Sequence, residues 1–186
     1  MRMKRKTAKE ILAESFQELA SQKKVDKITV IDIAENCGYS TTTFYRHFTD
    51  KYDLMAWAYT QRLEEIISGF DRDMQGWKQT WLDAALFYDE QKEYLKNLLL
   101  HTSGFDSFVR NMKRIHYESL RKKILNTADE SEFDVKMEMY VRAYCQGTVD
   151  LTCDWIMGKY DAGPEELAEV YENLLPYPLK AYLLSE

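Results

Sequence analysis

Apolar residues recur at spacings of three and four along most of the chain, and this spacing predicts amphipathic helices. About nine helices are expected. They cover roughly residues 7–23, 30–37, 41–48, 51–70, 77–88, 94–99, 106–125, 137–155 and 164–175. The last should kink or end near Leu175, because Pro176 and Pro178 interrupt a helix. The expected fold is all-α, with a three-helix N-terminal domain over residues 1–51 and a helical bundle over residues 52–186.

The stretch from Ile28 to Leu54 predicts a helix-turn-helix that is followed directly by another helix. Thr29 and Ser40 are favoured helix N-caps, and Gly38 suits the left-handed residue that commonly ends a helix. Lys51 falls in the first turn of the third helix, where a positive charge opposes the helix dipole. A nearby phosphate would compensate that charge.

The helix after Ser40 has two different faces. Phe44 and Phe48 lie four residues apart and are expected to bury against the preceding helix. The opposite face carries hydroxyl groups, a phenol and a guanidinium, a chemistry that suits the major groove of DNA. Its residues are Thr41, Thr42, Tyr45 and Arg46.

Charge is divided unevenly along the chain. Residues 1–51 hold ten Lys and Arg against seven Asp and Glu, whereas the remainder holds fifteen against twenty-four. The overall net charge of −6 therefore conceals a basic N-terminal part. A basic patch favours contact with nucleic acid, and the acidic remainder is expected to stay away from phosphates.

Composition excludes several classes of protein. No apolar run approaches the roughly 20 residues of a membrane-spanning helix, and no apolar segment follows the basic N-terminus as in a secretory signal. We therefore expect a cytoplasmic protein. The three cysteines, Cys37, Cys145 and Cys153, form no CxxC pair and predict neither a disulfide framework nor a metal site. No cofactor motif is present.

One motif carries a family resemblance. The run T-F-Y-R-H-F-x-D-K-x-D-L from Thr43 to Leu54, together with Thr29 and Gly38, resembles the DNA-binding domain of the TetR family of bacterial transcriptional regulators. The resemblance implies that the second helix of the pair enters the major groove. One departure is Tyr39, where the family usually has a small aliphatic residue.

The same resemblance implies a role for each matching position. Phosphates are expected at Thr29, Tyr45, His47 and Lys51, and base edges at Thr41, Thr42 and Arg46. Thr43 is either a further contact or a packing residue.

The last two predicted helices resemble the C-terminal region of many TetR-family members, including those similar to regulators of dihydroxyacetone kinase. There such helices form a dimer interface, so the resemblance implies a homodimer on a palindromic operator. The alternative is a hairpin packed within one chain. The predicted interface residues are Tyr144, Thr148, Leu151, Trp155, Leu167, Val170 and Leu174.

Aromatic residues are abundant after residue 52, and some could line a ligand pocket between helices. The candidates are Trp81, Tyr88, Phe108, Tyr117 and His116, with Trp77, Phe87, Tyr144, His101 and Gln146 as further possibilities. Most aromatic stripes at helical spacing are ordinary core, and the sequence does not name the ligand.

The residues around the histidines do not match the motifs of helical metal enzymes or zinc deaminases. No histidine follows a glutamate by three residues, and His116-Tyr117-Glu118 lacks the PCxxC partner of zinc deaminases. The function expected is a DNA-binding regulator, most simply a repressor released by a small molecule. An activator, or a regulator controlled by a protein partner on the C-terminal domain, is the alternative, and a dimeric scaffold without DNA binding is a third possibility.

Overall fold

The computed structural model describes residues 6–68, 74–104, 107–126 and 132–184, and every regular element in them is helical. This confirms the all-α prediction. The helices are α1 Ala8–Ala20, α2 Val30–Asn36, α3 Thr41–His47, α4 Lys51–Ser68, α5 Met74–Glu90, α6 Lys92–Leu100, α7 Phe108–Leu125, α8 Val135–Ile156, α9 Pro164–Asn173 and α10 Tyr177–Leu183, with a 3₁₀ turn at Val25–Lys27.

The short-range signals that end and begin helices are found where the sequence places them. Thr29 and Ser40 cap α2 and α3, and each hydroxyl accepts a hydrogen bond from a backbone N–H in the first turn. Gly38 and Gly158 follow α2 and α8 with φ of 72° and 79°. Those angles lie in the left-handed region that glycine enters without strain.

Two elements are absent from the sequence prediction: the 3₁₀ turn and α10. The chain breaks after α9, as Pro176 and Pro178 predict, but it then forms a further helix. Pro178 lies in the first turn of α10, where the missing N–H has no helical partner to lose. The predicted helix ends at Phe70 and Asp106 lie outside the described residues.

The chain packs as two units. The head unit comprises Met1–Gln61 and Glu93–Phe108, and the body unit comprises Arg62–Lys92 and Val109–Glu186. The boundary predicted at Lys51 therefore falls inside the head unit, which also takes in the start of α4 and most of α6. We describe each unit separately.

The head unit has a small apolar core. Leu12 and Phe16 of α1, Ile33 of α2 and Phe44 of α3 are fully buried, and Phe48 is almost so. Buried polar groups in this core are paired. Ser15 donates to the carbonyl of Ile33 at 2.7 Å and accepts from the side chain of Asn36 at 3.1 Å.

In the body unit, α5 packs against α9, and α8 contacts α10. Buried hydroxyl groups join α8 to α9: Tyr144 donates to the carbonyl of Tyr171 at 3.0 Å, and the Tyr171 hydroxyl contacts Thr152. Trp155 donates from its indole to the carbonyl of Ala162 at 2.7 Å. The buried side of α8 therefore holds the body unit together from within.

Candidate functional site

Helix α3 presents the face that the sequence predicts. Tyr45 is 61% exposed, whereas its neighbour Phe44 is fully buried. Thr42 and Arg46 are exposed as well, and Thr41 and His47 are half-buried. The Phe44 and Tyr45 rings meet edge to face at 5.6 Å. A buried ring therefore supports the exposed phenol.

Thr43 takes part in the N-cap of α3. Its N–H donates to the Ser40 hydroxyl at 3.1 Å, and the two hydroxyl oxygens lie 3.1 Å apart. This geometry supports the packing alternative for Thr43. A DNA contact by its hydroxyl stays a prediction.

Thr29 forms a capping box at the start of α2. Its hydroxyl donates to Asp32 at 2.8 Å and accepts from the Asp32 N–H at 3.1 Å, while the Thr29 N–H donates to the same carboxylate. Lys23 lies 3.1 Å from Asp32. The hydrogen bonds from Thr29, and then Lys23, lower the pKa of Asp32 to about 2. The expected phosphate contact of Thr29 stays a prediction.

Lys51 has partners that the sequence did not indicate. Its ammonium donates to the carbonyls of Val25 and Ile28 at 2.7 Å each, and to that of Asp26 at 3.2 Å. Burial lowers the pKa of this ammonium. An ammonium has three hydrogens, so protein carbonyls already compensate the charge for which we invoked a phosphate. No local pattern reveals these acceptors, because they lie 23 to 26 residues away.

The predicted dimer-interface residues separate into two groups. Four of them are buried within the protomer, as expected for a hairpin that packs within one chain: Tyr144, Thr148, Trp155 and Leu167. Leu151 is half-buried, and Val170 and Leu174 are 45% and 46% exposed. Of the predicted set, these last two leave the most apolar surface for a partner.

A cavity of about 60 Å³ lies inside the body unit. The predicted residues Trp81 and His116 line it, together with Trp77 and Tyr144. Its other walls come from residues that the sequence did not indicate as pocket candidates: Leu63, Ile66, Ile67, Thr80, Ala84, Ser119, Leu120, Lys123, Cys145 and Thr148. Burial lowers the pKa of His116 to about 4, so its ring is neutral near pH 7.

The remaining pocket candidates lie elsewhere. Phe108 packs edge to face on Tyr59 in the head unit, with ring centroids 5.3 Å apart. Tyr117 lies beneath the Arg142 guanidinium at 4.3 Å, and Tyr88 contacts His116 without lining the cavity. None of these three residues lines this cavity, and a ligand contact by any of them stays a prediction, because helical spacing alone does not show which face of a buried helix borders a void.

The described residues form neither a membrane span nor a metal cluster. None of the helices has the length and apolarity needed to cross a membrane. No cluster of three or more His, Cys, Asp or Glu side chains is placed to hold a metal ion in that part of the chain.

Comparison with known families agrees with the geometry of α2 and α3. Residues 17–57 match the family described as bacterial regulatory proteins, tetR family, and residues 75–177 match the transcriptional regulator C-terminal region. The second match alone covers more than half of the chain. The chain therefore belongs to the TetR family of bacterial transcriptional regulators.

Individual relatives are distant. The chain is 24% identical over 115 residues to the HTH-type dhaKLM operon transcriptional activator DhaS of Lactococcus lactis subsp. lactis (strain IL1403), and the match spans 62% of this chain but only 59% of that protein.

Solved structures share the fold. A dihydroxyacetone kinase operon activator DhaS has a TM-score of 0.63 at 20% identity, with 94% of this chain and 97% of that chain covered. A TetR regulator from Rhodococcus sp. RHA1 has the same TM-score at 15% identity, with 97% and 100% covered. NalD, the secondary repressor of a multidrug efflux pump in Pseudomonas aeruginosa, has a TM-score of 0.53 at 17% identity, with 96% of each chain covered.

The capping box on α2 predicts a specific pH dependence. A carboxylate whose pKa is lower in the folded state contributes stability that is complete above its unfolded pKa and is lost as pH falls through the folded value. For Asp32 these values are 3.8 and about 2. We expect Asp32→Asn to make the loss of unfolding free energy between about pH 4 and pH 2 shallower, as measured by urea denaturation. Glu35→Gln, at an exposed position on the same helix, is the control, and an unchanged slope in Asp32→Asn would contradict the assignment.

Proposed function

We propose that this TetR-family regulator binds a palindromic operator as a homodimer, with α3 of each subunit in the major groove. The observation that carries the proposal is the division of α3 into a buried anchor, Phe44, and an exposed polar face, Thr42, Tyr45 and Arg46. A helix presented in this way can approach base edges without losing its own core contacts. Such action on chromosomal DNA agrees with the cytoplasmic location expected from the sequence.

The proposed contacts divide into two kinds. Thr41, Thr42 and Arg46 read base edges, and Tyr45, His47 and Thr29 hold phosphates. Phosphate contacts set register and affinity, whereas base contacts set sequence preference. Lys51 contributes mainly by holding the residues before α2 through its three carbonyl partners.

Selection of bound sequences from random duplex DNA tests this division. The wild type should enrich a palindrome at near-physiological salt. Arg46→Ala and Thr42→Ala should relax the base preference, with about 1 to 3 kcal/mol lost for a bidentate base contact. Tyr45→Phe and Lys51→Ala should weaken binding across all sequences.

Glu35→Gln, which lies on α2, is the control for nonspecific charge effects. Equal losses on specific and random DNA in all four variants would contradict the division between base and phosphate contacts. Failure of the wild type to enrich any sequence would contradict operator binding by the unliganded protein.

The proposed dimer surface lies on the outward side of α8 and α9. Val170 and Leu174 are exposed there. Gly147 lies mid-helix on α8, and a Cβ added to it would meet nothing within 4 Å in the protomer. Glycine at such a position costs about 1 kcal/mol relative to alanine, and nothing inside the protomer requires it. Close approach of a partner helix would account for it.

Substitution on this surface should separate the subunits. We expect Val170→Arg with Leu174→Arg, and independently Gly147→Leu, to convert a dimer to a monomer in sedimentation equilibrium, because a charge or a bulky side chain prevents close helix packing. Ile31→Arg replaces a similarly exposed apolar residue of the head unit and should leave the dimer intact. A dimer that survives all the substitutions on α8 and α9 would place the interface elsewhere.

We also propose that the body cavity binds a small effector. Aromatic and aliphatic residues dominate its walls, and Lys123 is the only charged side chain among the described lining residues. That ammonium donates to the carbonyl of Ile67 at 3.3 Å. His116 is neutral. This lining favours an uncharged, mainly apolar compound, because burial of an unpaired charge is costly.

Filling the cavity tests the effector proposal. Ala84 is 3% exposed and lines the cavity, so Ala84→Leu should occupy part of it. In a thermal-shift screen of small uncharged compounds, a ligand of the cavity should raise the Tm of the wild type and of Ala181→Leu, an exposed control, but not that of Ala84→Leu. Equal shifts in all three proteins would place the ligand outside the cavity.

The sign of regulation has two candidates. Release of a repressor by an effector is the first, and NalD is a repressor. Activation is the second, and it is favoured by the name of the relative DhaS, an operon activator. In vitro transcription from a promoter that carries the selected palindrome separates them, since the purified protein lowers transcript yield in the first case and raises it in the second.

A further inference from the structure

Lys9, in the first turn of α1, lies beside the end of α3. Its ammonium nitrogen is 5.3 Å from the centroid of the Phe48 ring and 5.5 Å from that of the Trp57 ring. The two rings are in contact with each other, with centroids 5.6 Å apart. Phe48 is the C-cap of α3. The positive charge of Lys9 is therefore placed next to the last turn of the helix that is proposed to enter the major groove.

The charge of Lys9 is not compensated as the charges of nearby lysines are. Lys6, three residues earlier, pairs with Glu14 at 2.6 Å. The ammonium of Lys51 donates to three backbone carbonyls. Among the described residues, the ammonium of Lys9 forms no ion pair and donates no hydrogen bond; its contacts there are the two rings.

The contact with the rings leaves the hydrogens of the ammonium available. An ammonium carries three N–H donors, whereas a ring face attracts the charge as a whole within about 6 Å of its centroid. Lys9 is half-buried, so part of its side chain remains open to solvent. The rings also restrict a long side chain, and a side chain that is already ordered loses less conformational entropy when a ligand binds. This arrangement suits an anionic oxygen group.

We propose that Lys9 is a phosphate-binding residue of the DNA interface, held beside α3 by the rings of Phe48 and Trp57. The inference rests on the proposed DNA-binding function, and it extends the proposed contact surface from α2 and α3 onto α1. Phe48 directly follows His47, the residue that is proposed to hold a phosphate at the end of α3. Lys9 meets that phosphate or a neighbouring one.

A purely structural role for Lys9 predicts a different response to salt. A cation over two rings of its own chain stabilises the fold, but it displaces no counterions from DNA. A lysine that binds a phosphate releases the counterions of that phosphate, and the slope of log affinity against log salt concentration then steepens by about 0.9 for each contact. The salt slope therefore separates a clamp between α1 and α4 from a DNA contact.

Binding of the full-length protein to a random-sequence duplex, followed by fluorescence anisotropy between about 50 and 200 mM salt, tests the proposal. Lys9→Met keeps an unbranched apolar side chain over the rings and removes the charge. It should make the slope shallower by about 1 for each bound head. Lys9→Arg keeps the charge and can stack on aromatic faces, so it should retain the wild-type slope.

Lys92→Met is the matched control. The ammonium of Lys92 lies 4.7 Å from the centroid of the Trp155 ring, and both residues belong to the body unit. This substitution therefore removes the same charge and the same kind of contact outside the head unit, and it should leave the slope unchanged. Equal changes in Lys9→Met and Lys92→Met would reduce the effect to net charge and overturn the proposal.

Urea denaturation of each variant separates loss of charge from loss of structure. Lys9→Gln is a second neutral variant, which should show the same shallower slope and decides the matter if Lys9→Met does not fold. The wild-type slope in both neutral variants, with or without a lower urea midpoint, would remove Lys9 from the interface and leave the proposed function intact. Wild-type protein that binds no duplex would contradict the proposed function itself, and this inference with it.

Discussion

The burial of Phe44 is the constraint on which the exposed polar face of α3 depends. A helix of seven residues does not form alone in water, because nucleation costs more than a few hydrogen bonds return. Helix α3 has seven residues, so packing must stabilise it. Phe44 is fully buried, and its ring centroid lies 5.8 Å from that of Phe48. The exposed residues on α3 are therefore ordered by contacts that they do not make themselves.

A second level of support comes from the connection before α2. The Thr29 hydroxyl accepts a hydrogen bond from a backbone N–H in the first turn of that helix. This cap can form only if the backbone before Thr29 holds the right place. Lys51 of α4 and Asn97 of α6 determine that place through six hydrogen bonds to the backbone of residues 20–28. The position of α2 and α3 thus relies on an ammonium and a neutral amide that lie outside both helices.

What the sequence could predict follows from the range of each interaction. The caps at Thr29 and Ser40, the left-handed Gly38 and the burial of Phe44 and Phe48 depend on residues within four positions of one another, and the structure confirms all of them. The acceptors of Lys51 and the backbone partners of Asn97 depend on contacts across tens of residues. No local pattern carries that information.

Periodicity also cannot say which side of an apolar stripe faces a partner. The apolar stripe of α8 has the same spacing whether it meets α9 of its own chain or a second subunit, and Tyr144 and Trp155 of that stripe are buried against their own chain. The exposed surface lies on a less regular face, where Gly147 and Val170 give only a weak signal. Similarly, Pro176 and Pro178 correctly predicted the end of α9 but not the start of α10, which has Pro176 as its N-cap and Pro178 in its first turn.

The return of residues 93–108 to the head unit means that the modules of this protein are not contiguous segments of its gene. The matched DNA-binding segment, residues 17–57, excludes Asn97. A chimera that joins residues 1–61 to the C-terminal part of another family member would leave the end of α1 without its amide donor. Transfer of this head unit to another protein therefore requires that α6 accompany α1, α2 and α3.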